Sequence, residues 1–545
     1  MKRTKFLALI LISFIVFLLS GCEFIEMNTE VTIPINQTTT VENKNTTTKI
    51  SSDSTTQYVT NTQTSKNTTI IVDPDVMDNY YKLGQAPSVN YYSISKEDEY
   101  LDWRYLKSTG TQKVLVVPVY VTEYVSTISW TTIKADIEET MFGDPENGKL
   151  YWESLASFYS KSSFGKLTIT GTVLNQPMGP YTVSQLSSTE DTGAEDICID
   201  NLDSYLNNQG ITKTDYDQDK DGCLDLVMFI YLAPNASNDY SLSQDDFWAY
   251  CYSTGYIGTK SNPKINNYLW ASYDFMYEVD GGVKGNKGLD AHTYIHETGH
   301  TLGLDDYYIY ENNSSYSCTG ENIMMASNIC DHDAFTKFAL GWTTPYVVTG
   351  NCEISLSPSL NNGDSIILYA GTKFDDNAFA EYLIFEYYTP NGLNKKDVDN
   401  TYSGGVPGNS GSGIRVWHVD ARLAYTKNPY DDEPTFIFVQ TYSDFKSNLG
   451  TGLVVGYSNS VDYSYVTQNE SNPKRLISLV DASTGTDYYK SSNSYANKSQ
   501  LYTYTAPKTL DTSKVKWHSS VYPNYNVTFT YNQSKDVYVV HFTQK

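Results

Sequence analysis

The sequence predicts an α+β protein in which a region of mixed strands and helices is followed by a β-sandwich-like C-terminal region. Two observations predict this class. Before about residue 342, buried apolar runs alternate with amphipathic helical segments. Beyond it, short alternating segments recur between clusters of Gly, Asn, Ser and Asp, with no convincing helix. The 48 tyrosines support a β-rich architecture, because tyrosine suits half-buried strands.

Hydrophobic periodicity assigns the elements in chain order. Strands are predicted at 113–121, 166–173 and 224–232, and amphipathic helices at 150–160 and 194–206. Further strands are predicted at 353–356, 365–369, 381–388, 413–419, 436–441, 525–531 and 537–542. Pro118 complicates the first strand, because proline cannot donate a ladder hydrogen bond.

Length and charge bound the domain organisation and the partners. The 545 residues have room for three or four domains. We predict a signal peptide at 1–21, a flexible tether at 22–75, the first elements of the body or a short pro-segment at 76–110, a mixed domain at 111–342 and a β-rich region at 343–545. The net charge of −25 excludes a non-specific nucleic-acid binder, since phosphate contacts need a basic surface. We expect a monomer with no nucleic-acid partner.

The N-terminus predicts export. Positive charge at positions 2, 3 and 5 precedes an apolar run at 6–19 that is short for a membrane span. The run ends in small residues and Cys22, which resembles the lipobox of bacterial lipoproteins. That resemblance implies cleavage before Cys22 and a lipid anchor on it at the bacterial cell surface. A single N-terminal transmembrane anchor is the alternative. The Thr-, Asn- and Ser-rich stretch at 36–69 cannot bury a core and is typical of a tether.

The stretch HETGHTLGLDD at 296–306 carries the chemistry. Asp290 can cap a helix that begins near Ala291, and Gly303 can end it in a left-handed turn. On that helix His296 and His300 are one turn apart on one face, so both imidazoles can reach one zinc ion. The turn at Gly303 lets Asp306, three residues further on, return to the metal as a third ligand. Three ligands and no fourth Cys or His in the motif indicate an open, catalytic zinc site.

The motif resembles the extended zinc signature of the immune-inhibitor-A-like bacterial metallopeptidases, a metzincin-type family. The resemblance covers about 112–342 and continues more weakly into the β-rich region. Segments similar to that family lie at 158–167, 269–274, 331–337, 340–342, 381–386 and 413–420. The resemblance implies a metzincin-like peptidase domain at 111–342.

Carried over to this chain, the resemblance implies His296, His300 and Asp306 as zinc ligands and Glu297 as general base. Asp305 is the competitor for Asp306. The methionine under a metzincin zinc site would be Met325, with Met324 as the alternative.

Three further histidines have weaker assignments. His292 lies one turn before the first ligand, and packing or support of a ligand is favoured over a fourth ligand. His332 lines the cleft and steadies the oxyanion in one hypothesis and is structural in the other, which is favoured. His418 alternates with apolar residues on a strand and is interpreted as structural.

A second metal site is predicted in the acidic loop at 217–225. Its alternating oxygens, with Gly at the sixth position, resemble a calcium loop. The predicted ligands are Asp217, Asp219, Asp221 and Asp225. Met228 at the twelfth position excludes a standard EF-hand, and an acidic turn without a metal is the alternative. We expect a structural role for the calcium.

Six cysteines follow Cys22, and an even number outside the cytoplasm permits three disulfides. We expect one bridge between Cys318 and Cys330, which flank the predicted methionine turn.

The predicted function is a cell-surface zinc endopeptidase that cleaves extracellular proteins or glycoproteins. An extended substrate would pair with an edge strand near 269–275. The alternatives are a non-catalytic adhesin or glycan-binding lipoprotein on a peptidase-like scaffold, and a hydrolase that matures one narrow target. The presence of Glu297 argues against the binding-only alternative, because binding needs no general base.

Overall fold

The computed structural model describes residues 79–84, 104–187, 193–309, 316–400, 406–426, 436–438, 453–460, 474–491, 494–505 and 509–545. These residues all belong to one compact unit, Asp73–Lys545. The predicted signal peptide, the tether with Cys22 and most of the segment at 76–110 lie outside the described residues. Within the described ranges, no helix has the length and apolar character needed to cross a membrane.

The protein is a mixed α/β structure with several sheets. In the described ranges the strands are β1 (Tyr80–Lys82), β2 (Gly110–Val121), β3 (Leu167–Val173), β4 (Met178–Tyr181), β5 (Leu226–Leu232), β6 (Tyr250–Ser253), β7 (Asn267–Ser272), β8 (Tyr316–Ser317), β9 (Tyr346–Val348), β10 (Cys352–Leu356), β11 (Ser365–Tyr369), β12 (Glu381–Tyr388), β13 (Gly413–Asp420), β14 (Leu423–Thr426), β15 (Phe436–Phe438), β16 (Leu453–Val455), β17 (Ile477–Asp481), β18 (Thr486–Asp487), β19 (Lys490–Ser491), β20 (Leu510–Asp511), β21 (Tyr525–Asn532) and β22 (Val537–Gln544). The α-helices are α1 (Trp130–Phe142), α2 (Leu155–Ser162), α3 (Val183–Leu186), α4 (Asp196–Gln209), α5 (His292–Thr301), α6 (Met324–Ser327), α7 (Ala334–Ala339), α8 (Ser359–Asn362) and α9 (Lys395–Asp399).

The first sheet has the strand order β3-β2-β5-β7-β6, and β4 also pairs with β2. Its pairs are parallel except for the antiparallel edge pair β6–β7. Both faces are covered, so every residue of β5 and β7 is buried. Alternate residues of β5 join two separate hydrophobic clusters, with α2 and α5 on one face and α4 on the other. The three strands predicted before residue 342 are confirmed.

Pro118 lies in the middle of β2 without breaking the sheet. On one side it pairs with Ile230 of β5. On the other side β3 ends opposite Val116 and β4 begins opposite Val119. The missing proline N–H therefore falls in the gap between two partner strands, where no ladder bond is lost.

Helix α2 begins five residues later than predicted, at Leu155 instead of 150. Ser154 and Ser157 form a capping box, in which each side chain accepts from the backbone N–H of the other residue. The apolar residues at 150–152 are buried in the core before the helix starts. Because these residues are apolar, the sequence pattern places the start of the helix before its true cap at Ser154.

The β-rich region is built on a seven-stranded sheet of order β1-β9-β11-β12-β13-β17-β18 and a four-stranded sheet of order β10-β22-β21-β20. Residues alternate between two cores along β12: Tyr382 and Ile384 face the core shared with the motif helix, and Leu383 and Phe385 face a cluster shared with β21 and β22. The expectation of no helix here is wrong, because α8 and α9 are short helices within connections.

Two further expectations are corrected. Strand β7 is not an edge strand, because it pairs with β5 on one side and β6 on the other. The Cys318–Cys330 bridge is not formed, and Cys198 and Cys352 are also free thiols. Cys198, Cys330 and Cys352 cannot form disulfides with one another, because each is buried in a different hydrophobic cluster.

Candidate metal centre

The motif forms helix α5, and its end directs the chain back towards the helix face. Asp290 Oδ1 accepts from the backbone N–H of His292 at the start of the helix. The helix ends at Thr301, and Gly303 follows with a φ of +90°. A left-handed residue at this point lets the chain reverse sharply. The predicted helix and its glycine stop are both observed, but the N-cap residue is Ala291 and not the predicted Asp290.

His296, His300 and Asp306 converge on one point. Asp306 Oδ1 lies 2.8 Å from His296 Nε2 and 3.3 Å from His300 Nε2. One potential ligand atom from each residue lies within 4.8 Å of the other two. Asp305 is not part of this group. The turn at Gly303 therefore delivers the second of the two adjacent aspartates to the histidines.

The other ring nitrogens fix the histidine tautomers. His296 Nδ1 lies 3.0 Å from the carbonyl oxygen of Met324, and His300 Nδ1 lies 2.8 Å from that of Leu304. A carbonyl oxygen can only accept, so each Nδ1 carries the proton. Nε2 is therefore the nitrogen that a metal would bind on each ring, in place of any proton held there by Asp306, and backbone groups hold both rings in place.

Met325 packs against helix α5 at Gly299, a position between the two histidines in the sequence. A β-carbon at position 299 would lie 2.5 Å from Met325 Sδ, so Gly299 is what permits this close approach. The backbone oxygen of Met325 also accepts from the N–H of Tyr307, next to Asp306. Met324 contributes its carbonyl to His296. Both methionines are thus in contact with the site, one by its side chain and the other by its backbone.

Glu297 follows the first histidine on α5 and is 7% exposed. Burial raises the pKa of its carboxyl above the ordinary value, and His300 and His296 oppose this increase. A carboxylate with a raised pKa is suited to accept and return a proton near neutral pH.

Charge pairing dominates the electrostatics of the ligand group. Burial raises the pKa of Asp306, but His300 and His296 outweigh it and hold that pKa well below the usual range. Burial lowers the pKa of His300, but Asp306 and Glu297 outweigh it and raise that pKa to about 10. The carboxylate of Asp306 is therefore ionised at every pH at which the protein would work.

The β-rich region supplies residues that brace this site and that no sequence pattern had indicated. Asp397 Oδ2 accepts from the N–H of Cys330 at 2.7 Å, and Asp397 Oδ1 lies 3.3 Å from His292 Nε2. Asn394 Oδ1 accepts from the N–H of Asp331 at 3.0 Å. These contacts hold the segment after the methionine turn and the first turn of α5. No local motif marks either residue, and only the tertiary fold brings them here.

The remaining predicted residues occupy supporting positions. His292 Nδ1 lies 2.5 Å from Asp290 Oδ1, and its ring stacks on Trp152 at 4.3 Å. His332 is 2% exposed, and neither of its ring nitrogens has a hydrogen-bond partner among the described residues. It packs against the rings of Phe158, Tyr159 and Trp342. Burial lowers its pKa to about 3, so its imidazole is neutral.

The acidic loop brings three of its four predicted ligands together. One oxygen each of Asp217, Asp219 and Asp225 lies within 4.8 Å of the other two. Asp221 is not in this group, and its Oδ1 accepts from the N–H of Cys223 at 2.8 Å. Burial raises the pKa of Asp225 to about 7, with further increases from the neighbouring aspartates. Of the converging aspartates, Asp217 is buried, whereas Asp219 is exposed and forms a salt bridge with Lys107 at 2.9 Å.

We compared the sequence with protein-family models and with curated proteins. No protein-family model matches the chain, and no curated protein shows significant similarity to it. The functional argument therefore rests on the residues themselves.

Proposed function

We propose that the protein is a zinc-dependent endopeptidase of the immune-inhibitor-A-like, metzincin type. The observation that carries the proposal is the convergence of Asp306 with His296 and His300, two histidines that share helix α5 with Glu297. Two imidazoles and a carboxylate form a donor set that suits zinc. A metal would bind both rings through Nε2, since each Nδ1 donates to a carbonyl. The residues therefore fit the ion.

Zinc in this position would polarise the scissile carbonyl and acidify the attacking water. Glu297 takes the proton from that water as its oxygen bonds to the carbonyl carbon. As the C–N bond breaks, Glu297 delivers the proton to the leaving amine nitrogen. Backbone oxygens at 324 and 304 keep the histidine rings oriented throughout.

We assign the supporting roles to other parts of the chain. Asp217, Asp219 and Asp225 would bind a structural calcium ion, because three converging carboxylates match its preference for oxygen. The seven- and four-stranded sheets would form the predicted sandwich, since they share one hydrophobic cluster. Export and lipidation at Cys22 would place the peptidase on the bacterial surface, where extracellular proteins or glycoproteins are its substrates.

The proposal is tested by cleavage of casein by the full chain, purified in detergent. We expect cleavage that a chelator abolishes and that zinc restores. Full activity in the metal-free protein would overturn the zinc mechanism. No cleavage of casein, together with clean cleavage of one protein from the native cell surface, would indicate a narrow target. No cleavage of either would favour the adhesin alternative.

A further inference from the structure

A second cluster of metal-ligating side chains lies in the seven-stranded sheet, separate in sequence from the motif helix. Glu381 of β12 and Asp420 of β13 stand directly opposite each other in the antiparallel pair. His518, from the segment before β21, completes the cluster. One potential ligand atom from each residue lies within 4.8 Å of the other two. Glu381 and Asp420 are 2% and 0% exposed, and the His518 side chain is 8% exposed.

His418 places a second imidazole beside this cluster, outside the three residues whose ligand atoms converge. It lies two residues before Asp420 on β13, so the two side chains project from the same face. Its Nε2 lies 3.0 Å from Glu381 Oε1, and its Nδ1 lies 3.1 Å from Asp487 Oδ2. A histidine that binds a metal through one ring nitrogen commonly donates the N–H of the other nitrogen to a carboxylate. Asp487 is in the position of such a carboxylate.

The charges of the cluster do not balance while both imidazoles are neutral. Arg422 compensates one carboxylate, since its Nε and Nη2 donate to Asp420 Oδ1 and Oδ2 at 2.7 and 2.6 Å. Glu381 and Asp487 remain, and Asp487 Oδ1 has no hydrogen-bond partner among the described residues. Buried negative charges without compensation are costly, and either a divalent cation or a proton on His418 would supply the missing positive charge.

We propose that Glu381, Asp420 and His518 bind a second zinc-type ion, with the neighbouring His418 imidazole turning in as the fourth ligand. Nitrogen and carboxylate ligands together favour zinc over calcium, which prefers oxygen alone. The hydrogen bonds from Arg422 to Asp420 are compatible with coordination, because metal-bound carboxylates are themselves commonly hydrogen-bonded.

The role of this ion is structural. Four protein groups close the coordination shell and leave no position for a substrate. Glu381 already accepts from the backbone N–H groups of His518 and Ser519, at 2.5 and 2.7 Å. The ion would fasten this segment, which leads into the four-stranded sheet, to the seven-stranded sheet.

The competing arrangement is a proton on each imidazole, which would supply the same positive charge without a metal. Zinc content separates the two. The full chain is equilibrated with zinc in excess calcium, freed of loose metal and measured by mass spectrometry. We expect about two zinc ions per wild-type chain and about one in a His296→Ala/His300→Ala variant. Adding His518→Ala should remove the remaining ion, whereas adding His541→Ala, a histidine paired with Glu353 elsewhere, should not.

A His296→Ala/His300→Ala variant that holds no zinc would overturn the proposal, and so would an unchanged zinc content after His518→Ala. Should the His518 variant fail to fold, cobalt decides the matter in the His296→Ala/His300→Ala variant, whose second site is intact. Visible absorption bands of cobalt bound to nitrogen and oxygen ligands are expected. Their absence would show that protons, not a metal, balance the cluster.

Discussion

Gly299 lies against the thioether of Met325, so that a β-carbon at position 299 would come within 2.5 Å of Sδ and 3.0 Å of Cε. Position 299 stands one residue before His300. The methionine is 1% exposed and is enclosed by the core, so it has little room to retreat. Through this contact, helix α5 packs closely against the turn that contains Met325.

We predict that Gly299→Ala destabilises the protein and weakens zinc binding. On an ordinary helix the change would stabilise by up to about 1 kcal/mol. Here overpacking against Met325 should cost about 1–3 kcal/mol. Chemical denaturation and zinc titration measure the two effects. In a double-mutant cycle, Met325→Ala should relieve part of the cost, and strictly additive effects would contradict the contact.

The two adjacent aspartates form a matched pair for testing the third ligand. Asp306→Asn should weaken zinc binding by more than the roughly 10–100-fold that loss of an outer hydrogen-bond partner causes. Asp305→Asn should leave zinc affinity and cleavage close to those of the wild type, because Asp305 is outside the converging group. Competitive titration against a zinc indicator checks both. Equal losses in the two variants would contradict the assignment of Asp306.

A substitution of His332 can distinguish whether this residue packs in the core or stabilises the oxyanion. Removing an oxyanion donor costs about 10²–10³ in kcat. We expect His332→Phe to keep kcat, because the ring packs among Phe158, Tyr159 and Trp342. The folded-state pKa near 3 lies below the unfolded value, so the wild type loses stability as the pH falls from about 6.5 towards 3.

The phenylalanine variant lacks this proton uptake on unfolding. Thermal melts at pH 7.5 and pH 5 should therefore show the variant gaining stability relative to the wild type at the lower pH. A loss of kcat by two orders of magnitude with unchanged stability would support the oxyanion role instead.

The raised pKa of Asp225 predicts how the stability of the protein depends on pH with and without calcium. Its pKa is about 7 in the folded protein and near 3.8 unfolded, so the folded state retains a proton over that interval. Without calcium, its contribution to stability is present below pH 3.8 and is lost as the pH rises to about 7. Asp225→Asn should therefore melt higher than the wild type in chelator at pH 8, with the difference vanishing below pH 4.

With calcium at pH 8, the wild type should melt at a higher temperature than Asp225→Asn, because calcium stabilises the wild type and is bound weakly by the variant. A matched change at Asp215, which is not among the three converging carboxylates, serves as the control. Wild-type melts that calcium does not move would contradict the calcium site.

The sequence predicts what is encoded locally. The spacing of His296 and His300 and the turn at Gly303 follow from helix geometry, so the ligand group could be predicted without a structure. Asp397 and Asn394 could not, because they lie far along the chain on elements without a motif. The cluster around Glu381 and His418 depends on the register of β12 and β13, and the sequence pattern showed only apolar alternation. The edge position expected for β7 failed because β6, a four-residue strand, was not recognised.

The central claim is that one zinc ion and Glu297 together cleave peptide bonds. The most direct test measures zinc content and casein cleavage on the same sample of the full chain and of its Glu297→Gln variant. We predict that the variant keeps the zinc of the wild type and loses cleavage by on the order of 10²–10⁴-fold. Cleavage at the wild-type rate in a folded, zinc-loaded Glu297→Gln protein would contradict the account.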